Sequence, residues 1–132
     1  MDPEFSKFGA TWGYILSAQG RPSAKRQRQD ISLHGVIEQV WCDQFEGQTT
    51  RPRKHLIQRE QLLLSLNQGD KVVVTAPECL GLSERDVNWF LTELAIRGVL
   101  LLVHSGTIVV DPGGSTRDLA AVVGRFHSKL RL

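Results

Sequence analysis

The side chains with chemistry to offer are few and scattered. One serine, Ser17, follows the first apolar run, "WGYIL", and precedes Ala18. A hydroxyl there lies at the carboxyl tip of a strand, where α/β proteins place reactive groups. Three acids follow later apolar runs: Asp43, Glu78 and Asp111. Carboxylates in such places either serve a site or form turns and helix caps. Basic residues cluster at Lys25, Arg26 and Arg28, and again at Arg51, Arg53, Lys54 and Arg59. They form either a phosphate-facing surface or ordinary solvated helix faces. His34, His55, His104 and His127 are not paired with each other or with cysteine at metal-ligand spacing, so packing or surface roles and no metal are expected. Neither GxGxxG nor a P-loop follows the first strand, so no nucleotide cofactor is expected.

These groups need a scaffold, and 132 residues provide for one core. The opening "MDPEF" is what a start codon and two adjoining cloning sites encode, so residues 1–5 are set aside. Without Asp2 and Glu4 the chain holds 16 basic residues against 12 acidic ones, a net +4 that permits contact with a polyanion without demanding it. Cys42 and Cys79 form no CxxC, and no secretory leader is evident, so free thiols and a cytoplasmic location are expected. No apolar run nears the roughly 20 residues of a membrane helix, and a soluble protein is expected.

Five runs have strand character: "WGYIL", "VIEQVWC", "KVVVTA", "VLLLV" and "TIVV". Helical periodicity fills the intervals, and that alternation predicts a three-layer α/β sandwich with a mostly parallel sheet of four to five strands. Residues 83–97 predict a helix with Ser83 as N-cap, Asp86 three positions on, and a stripe of Val87, Phe90, Leu91 and Leu94. Residues 53–67 predict a helix that buries Leu56, Leu63 and Leu66, with Leu62 and Leu64 broadening the face; residues 24–34 predict one with Ala24, Ile31 and Leu33 as its apolar positions. The domain is expected over 6–114. Residues 115–132 predict a long C-terminal helix whose stripe of Leu119, Val122, Val123, Phe126 and Leu130 packs on its own sheet or meets another chain.

The order of these features resembles the catalytic domain of the serine recombinases, the resolvase and invertase family. The likeness runs from Trp12 to about Phe126. It rests on Gly13-Tyr14 in the first strand, Gln27 in the first helix, Gly69-Asp70 before the third strand, and Leu80-Gly81 before a helix that ends in "RGV". The resemblance implies a serine that attacks a DNA phosphodiester, with arginines holding charge on the phosphoryl oxygens. The family's first-strand pattern is Tyr-x-Arg-x-Ser. Counted from Tyr14, Leu16 stands at the arginine and Ala18 at the serine, with Ser17 one residue short and turned to the other face. Where the family has Leu-Asp-Arg-Leu-Gly-Arg, "PECLGL" puts Glu78 at the acid, Cys79 at the first arginine and Leu82 at the second. Asp43 matches the acid after the second strand, and Arg51 or Arg53 stands for a further family arginine.

The expectation is therefore a catalytically inactive, recombinase-like interaction or regulatory module in a DNA-associated process. Ser17, Asp43, Arg53 and Glu78 would be vestiges of its site. It would form a homodimer through the C-terminal helix, and its DNA contact would be weak, through Lys25, Arg26, Arg28, Arg51, Arg53 and Lys54. The alternative is an active recombinase or nuclease with a rearranged site built on Ser17.

Overall fold

The computed structural model describes residues 9–106 and the backbone of 108–110; the expected helix over 115–132, Asp111 and His127 lie outside the described residues. The elements in chain order are β1 (Thr11–Ser17), α1 (Ala24–Ser32), β2 (Gln39–Gln44), α2 (Pro52–His55), α3 (Ile57–Ser65) and β3 (Lys71–Val74). A 3-10 turn (Pro77–Leu80), α4 (Glu84–Ile96), β4 (Leu100–Val103) and β5 (Ile108–Val110) complete them. The sheet order is β2-β1-β3-β4-β5, parallel throughout except for the β4–β5 hairpin.

Alternation of side chains along the strands divides the core in two. Ile15, Val73 and Leu102 face α1, where they meet Ile31. Tyr14, Leu16, Val72, Val74, Leu101 and Val103 face α3 and α4, where Leu62, Leu63, Phe90, Leu91 and Leu94 close over them. Three layers result. α1 approaches β1 closely because position 13 is glycine: a Cβ there would lie 2.8 Å from Ile31 Cγ2. The helix starts where Ser23 Oγ accepts the Arg26 amide at 3.1 Å, an N-cap. Asp70 ties the start of β1 to the β3 entry, for its carboxylate accepts from the Ala10 amide, the Trp12 indole and the Asn67 amide.

Packing overrides periodicity at several points. The helix expected over 53–67 is broken at Leu56, whose ψ of 65° is not helical. That break buries Leu56 fully beside Leu62 and Leu63 and leaves Leu64 76% exposed. Leu33, expected on the α1 stripe, lies beyond the helix end and is 73% exposed. The second strand begins at Gln39, three residues later than its apolar run, because Gly35 turns the chain at φ +103° and leaves Val36 in solvent. Cys42 and Cys79 are free and belong to the cores on opposite faces of the sheet.

Candidate functional site

In an open parallel sheet, ligands bind beyond the strands' carboxyl ends, where neighbouring connections leave in opposite directions. Here that place is between β1 and β3. Their pairing covers only Thr11 to Gly13 on β1, so beyond it the two strands part. The crevice is filled by the chain's own polar side chains. Gln27, fully buried on α1, accepts from the Leu16 amide at 3.1 Å and donates to the Leu16 and Pro22 carbonyls at 2.8 and 2.7 Å. Its amide thus substitutes for the strand that Leu16 lacks.

Arg21 fills the outer part of the same gap. Its guanidinium donates to three backbone carbonyls, those of Gln19 at 2.8 Å, Glu78 at 2.9 Å and Gly81 at 2.7 Å. The loop after β1 is thereby fastened to the turn after β3. Partial burial holds the Arg21 pKa below the ordinary arginine value, although Cys79 and Glu78 act in the opposite sense.

On the α3/α4 side, a buried polar chain runs from β1 to α4. Tyr14 donates its hydroxyl to Asp43 at 2.8 Å, and Asp43 also accepts the Gln58 and Arg59 amides at 2.9 and 2.8 Å. Asp43 on β2 therefore caps α3, since two of the amides at that helix's start find their acceptor there. Burial first, then the Asp43 carboxylate, pushes the Tyr14 pKa well above its usual value. Tyr14 stays protonated as the donor. Arg59 is fully buried and forms a bidentate pair with Asp86 at 2.7 and 2.9 Å, while its remaining bond reaches the Leu80 carbonyl at 2.9 Å. Asp86 also accepts the Leu82 amide at 2.8 Å. Asp86 was expected merely to accompany the Ser83 cap; Ser83 Oγ does accept the Asp86 amide, but the carboxylate turns inward to Arg59.

Gly81 makes this pair possible. A Cβ there would collide with the Asp86 carboxylate and stand 3.0 Å from the Arg59 guanidinium. Gly81→Ala is expected to cost about 1–3 kcal/mol, the usual penalty of overpacking, read as a lower urea midpoint at unchanged slope.

The residues singled out in the sequence do not meet. Ser17 lines a cleft of about 560 Å³ with Gln44, Phe45 and Glu46. Arg53 lines another with Ser83 and Trp89, stacked 4.3 Å from the Trp89 ring centroid and bonded to Glu60 at 3.2 Å. Glu78 lines a third, beside α1. Asp43 is committed to Tyr14 and α3 as described. Arg59, grouped above with the basic surface, leaves it for the core. The sheet separates the remaining exposed cations, with Lys25, Arg26 and Arg28 on the α1 face and Arg51, Arg53 and Lys54 on the other. His34 and His104, unpaired by sequence spacing, come together with His34 Nε2 2.8 Å from His104 Nδ1.

No family model and no curated protein matches the sequence. Among solved structures, the chain is similar to the N-terminal catalytic domain of TP901-1 integrase. The TM-score is 0.62 over 92% of this chain and 96% of that one, at 12% sequence identity. The fold is that of a serine recombinase catalytic domain. On this fold, three positions at which the family pattern asks for arginine (Leu16, Cys79 and Leu82) and the one at which it asks for serine (Ala18) hold apolar side chains or a thiol. Leu16 and Cys79 are fully buried in the α3/α4-side core, and Leu82 and Ala18 pack against it. Sequence reasoning missed Arg21, Arg59 and Asp86. One signal was available, since Leu56, Arg59 and Leu63 fall at three- and four-residue spacing, so Arg59 sits on an apolar stripe. Among the described residues, no helix is long and apolar enough to cross a membrane.

Proposed function

We propose that this domain keeps the recombinase fold without its strand-cleaving chemistry and acts as a protein-interaction or regulatory module in a DNA-associated process. The observation that carries this is the commitment of the strand-tip guanidiniums. Phosphoryl transfer through a serine needs a hydroxyl and several free N–H donors around one phosphate. Here Arg21 is spent on three carbonyls and Arg59 on Asp86 and Leu80, while Ser17 and Arg53 line different clefts. A leucine at 16 and a cysteine at 79 supply no bidentate phosphate contact in compensation. Incubation with supercoiled DNA and with a suicide substrate is expected to leave the protein unmodified by mass spectrometry. A covalent adduct on Ser17 would establish the rearranged enzyme instead.

Self-association through Leu119, Val122, Val123, Phe126 and Leu130 belongs to the same proposal, because an apolar stripe at helical spacing suits a helix pair. Sedimentation is expected to show a concentration-dependent dimer; a monomer at high concentration counts against that element. DNA contact through the two basic groups is proposed as weak and salt-sensitive, since they lie on opposite faces and cannot engage one backbone together.

A further inference from the structure

The two edges of the sheet are unlike. β5 has three residues, whereas β2 has six, and the register of β2 with β1 runs unbroken from Trp12–Gln39 to Ser17–Gln44. Among the described residues nothing pairs with the outer side of β2. Which of its backbone groups lie there follows from β1. The Ala10 carbonyl accepts from the Lys71 amide at the entry of β3, while the Thr11 and Ser17 carbonyls accept from Glu38 and Phe45 at the two ends of β2. Thr11, Gly13, Ile15 and Ser17 are therefore turned to β2. The register then turns the amides and carbonyls of Gln39, Trp41 and Asp43 to β1, and those of Val40, Cys42 and Gln44 outward.

An open edge of this length is ordinarily guarded by lysine, proline, a bulge or a covering loop, because free ladder groups accept another strand. The sequence of β2, QVWCDQ, has no Lys, Arg or Pro, and its unbroken register leaves no bulge. Its one charge, Asp43, is turned inward and occupied by Tyr14, Gln58 and Arg59. Val40, Trp41 and Cys42 are half-buried, and the connection leading into the strand carries Leu33 and Val36 at 73% and 91% exposure. The edge thus offers hydrogen bonds and apolar surface, with no exposed charge in the strand to select a partner of opposite sign.

We propose that β2 is a self-association surface, on which a second copy of this chain adds its own β2 antiparallel and joins two five-stranded sheets into one. The strand is complementary to itself. A two-fold axis at Cys42 sets Cys42 opposite Cys42 of the copy and Val40 opposite the copy's Gln44. Every outward residue then pairs with an outward residue, each pair exchanging both of its backbone bonds. On the α3 side the same axis brings Trp41, whose indole N–H is buried without an acceptor, opposite Asp43 of the copy. Glu38 and Glu46 are exposed and lie outside the paired residues, where water and salt screen their repulsion. This surface is separate from the helix stripe of the proposed function, and the inference holds whether or not that helix pairs.

Residue-resolved amide hydrogen exchange of the full chain, compared at about 10 μM and about 1 mM, tests it over the range of a weak to moderate self-association. Val40, Cys42 and Gln44 should exchange as free amides in dilute protein and slow by about tenfold or more in concentrated protein. Trp41 and Asp43, bonded to β1, should be protected at both. Phe126→Glu puts a charge in the helix stripe and separates the two surfaces: this variant should still sediment as a concentration-dependent dimer. Adding Gln44→Pro removes an outward donor and no bond to β1, so it should leave Trp41 and Asp43 protected while weakening that dimer by about tenfold or more. The inference fails if Val40, Cys42 and Gln44 exchange freely at the higher concentration, even in a chain that sediments as a dimer, a result that leaves the helix reading standing. It fails if Phe126→Glu is monomeric throughout or if Gln44→Pro does not weaken its dimer. Protection of the three amides that is independent of concentration would assign the edge to a segment of the same chain and overturn the second copy.

Discussion

Asp86→Ala is expected to cost the domain about 3–5 kcal/mol of folding stability, a large share of the roughly 5–15 kcal/mol that a domain has to lose. The reason is the charge left behind. Arg59 is fully buried, and among the described residues only the Asp86 carboxylate balances it within hydrogen-bonding distance. Without the carboxylate, Arg59 Nη2 loses its bond, Nη1 keeps only the Leu80 carbonyl, and the Leu82 amide loses its acceptor. The rings of Trp89 and Phe90, 5.2 and 5.1 Å from the guanidinium carbon, soften the loss but accept no hydrogen bond of comparable strength. Replacing the pair together, as Arg59→Met with Asp86→Leu, is expected to recover most of the stability, since a well-packed apolar pair avoids the desolvation of both ions. Urea unfolding of the two single variants and the double variant measures the difference as a coupling energy. A double variant no more stable than Asp86→Ala would show that the pair stabilises the fold on its own account.

Asp43→Ala is the second large effect, expected at about 2–4 kcal/mol from the loss of charge-assisted bonds in a buried place. Three donors depend on this one carboxylate: the Tyr14 hydroxyl and the amides of Gln58 and Arg59. Tyr14→Phe removes only the first and should cost about 1–2 kcal/mol. After Asp43→Ala the Tyr14 hydroxyl is already orphaned, so adding Tyr14→Phe should cost little more or give some stability back. The phenol titration reports the same contact. Because burial and Asp43 both raise the Tyr14 pKa, deprotonation in the folded state should begin at lower pH in Asp43→Ala than in the parent. Sign and window follow together: a tyrosine pKa raised by folding destabilises the native state only as pH climbs above the unfolded value near 10.

These two variants also bear on the proposed function. In a site that handles phosphate, an acid and an arginine beside the strand tips are held ready for the substrate. Here both are the ends of an internal scaffold that fixes α3 and α4 to the sheet. The resemblance pointed to Asp43 as a vestige of catalysis; in the fold its carboxylate accepts from the Tyr14 hydroxyl and from two amides at the start of α3. Arg21 likewise spends its guanidinium on three carbonyls, which fastens the loop after β1 to the turn after β3.

Much of this was legible before any fold was known. The Ser83 cap follows from residue type beside an apolar repeat, and β3 and β4 follow from unbroken runs of Val and Leu; the Ser23 cap was not read from the sequence. Counting from Tyr14 was enough to find Leu16 and Ala18 where an arginine and a serine would be needed. Strand alternation then implied that Ser17 would face away from them. The break at Leu56 was not legible, because a leucine fits a helical stripe equally well whether the chain continues through it or turns there to bury it.

What local order determines is the period of each element and the kinds of side chain available at its tips, since both depend on neighbours within a few positions. Which polar groups end up buried, and against whom, was decided only in three dimensions. Arg59 meets Asp86 across 27 positions, Arg21 meets Gly81 across 60 and His34 meets His104 across 70. No repeat in the sequence records such meetings. They come from the sheet order, which packs α3 beside α4 on one face and gathers the loops at the strand ends, bringing distant chain segments within the 3 Å at which a hydrogen bond acts.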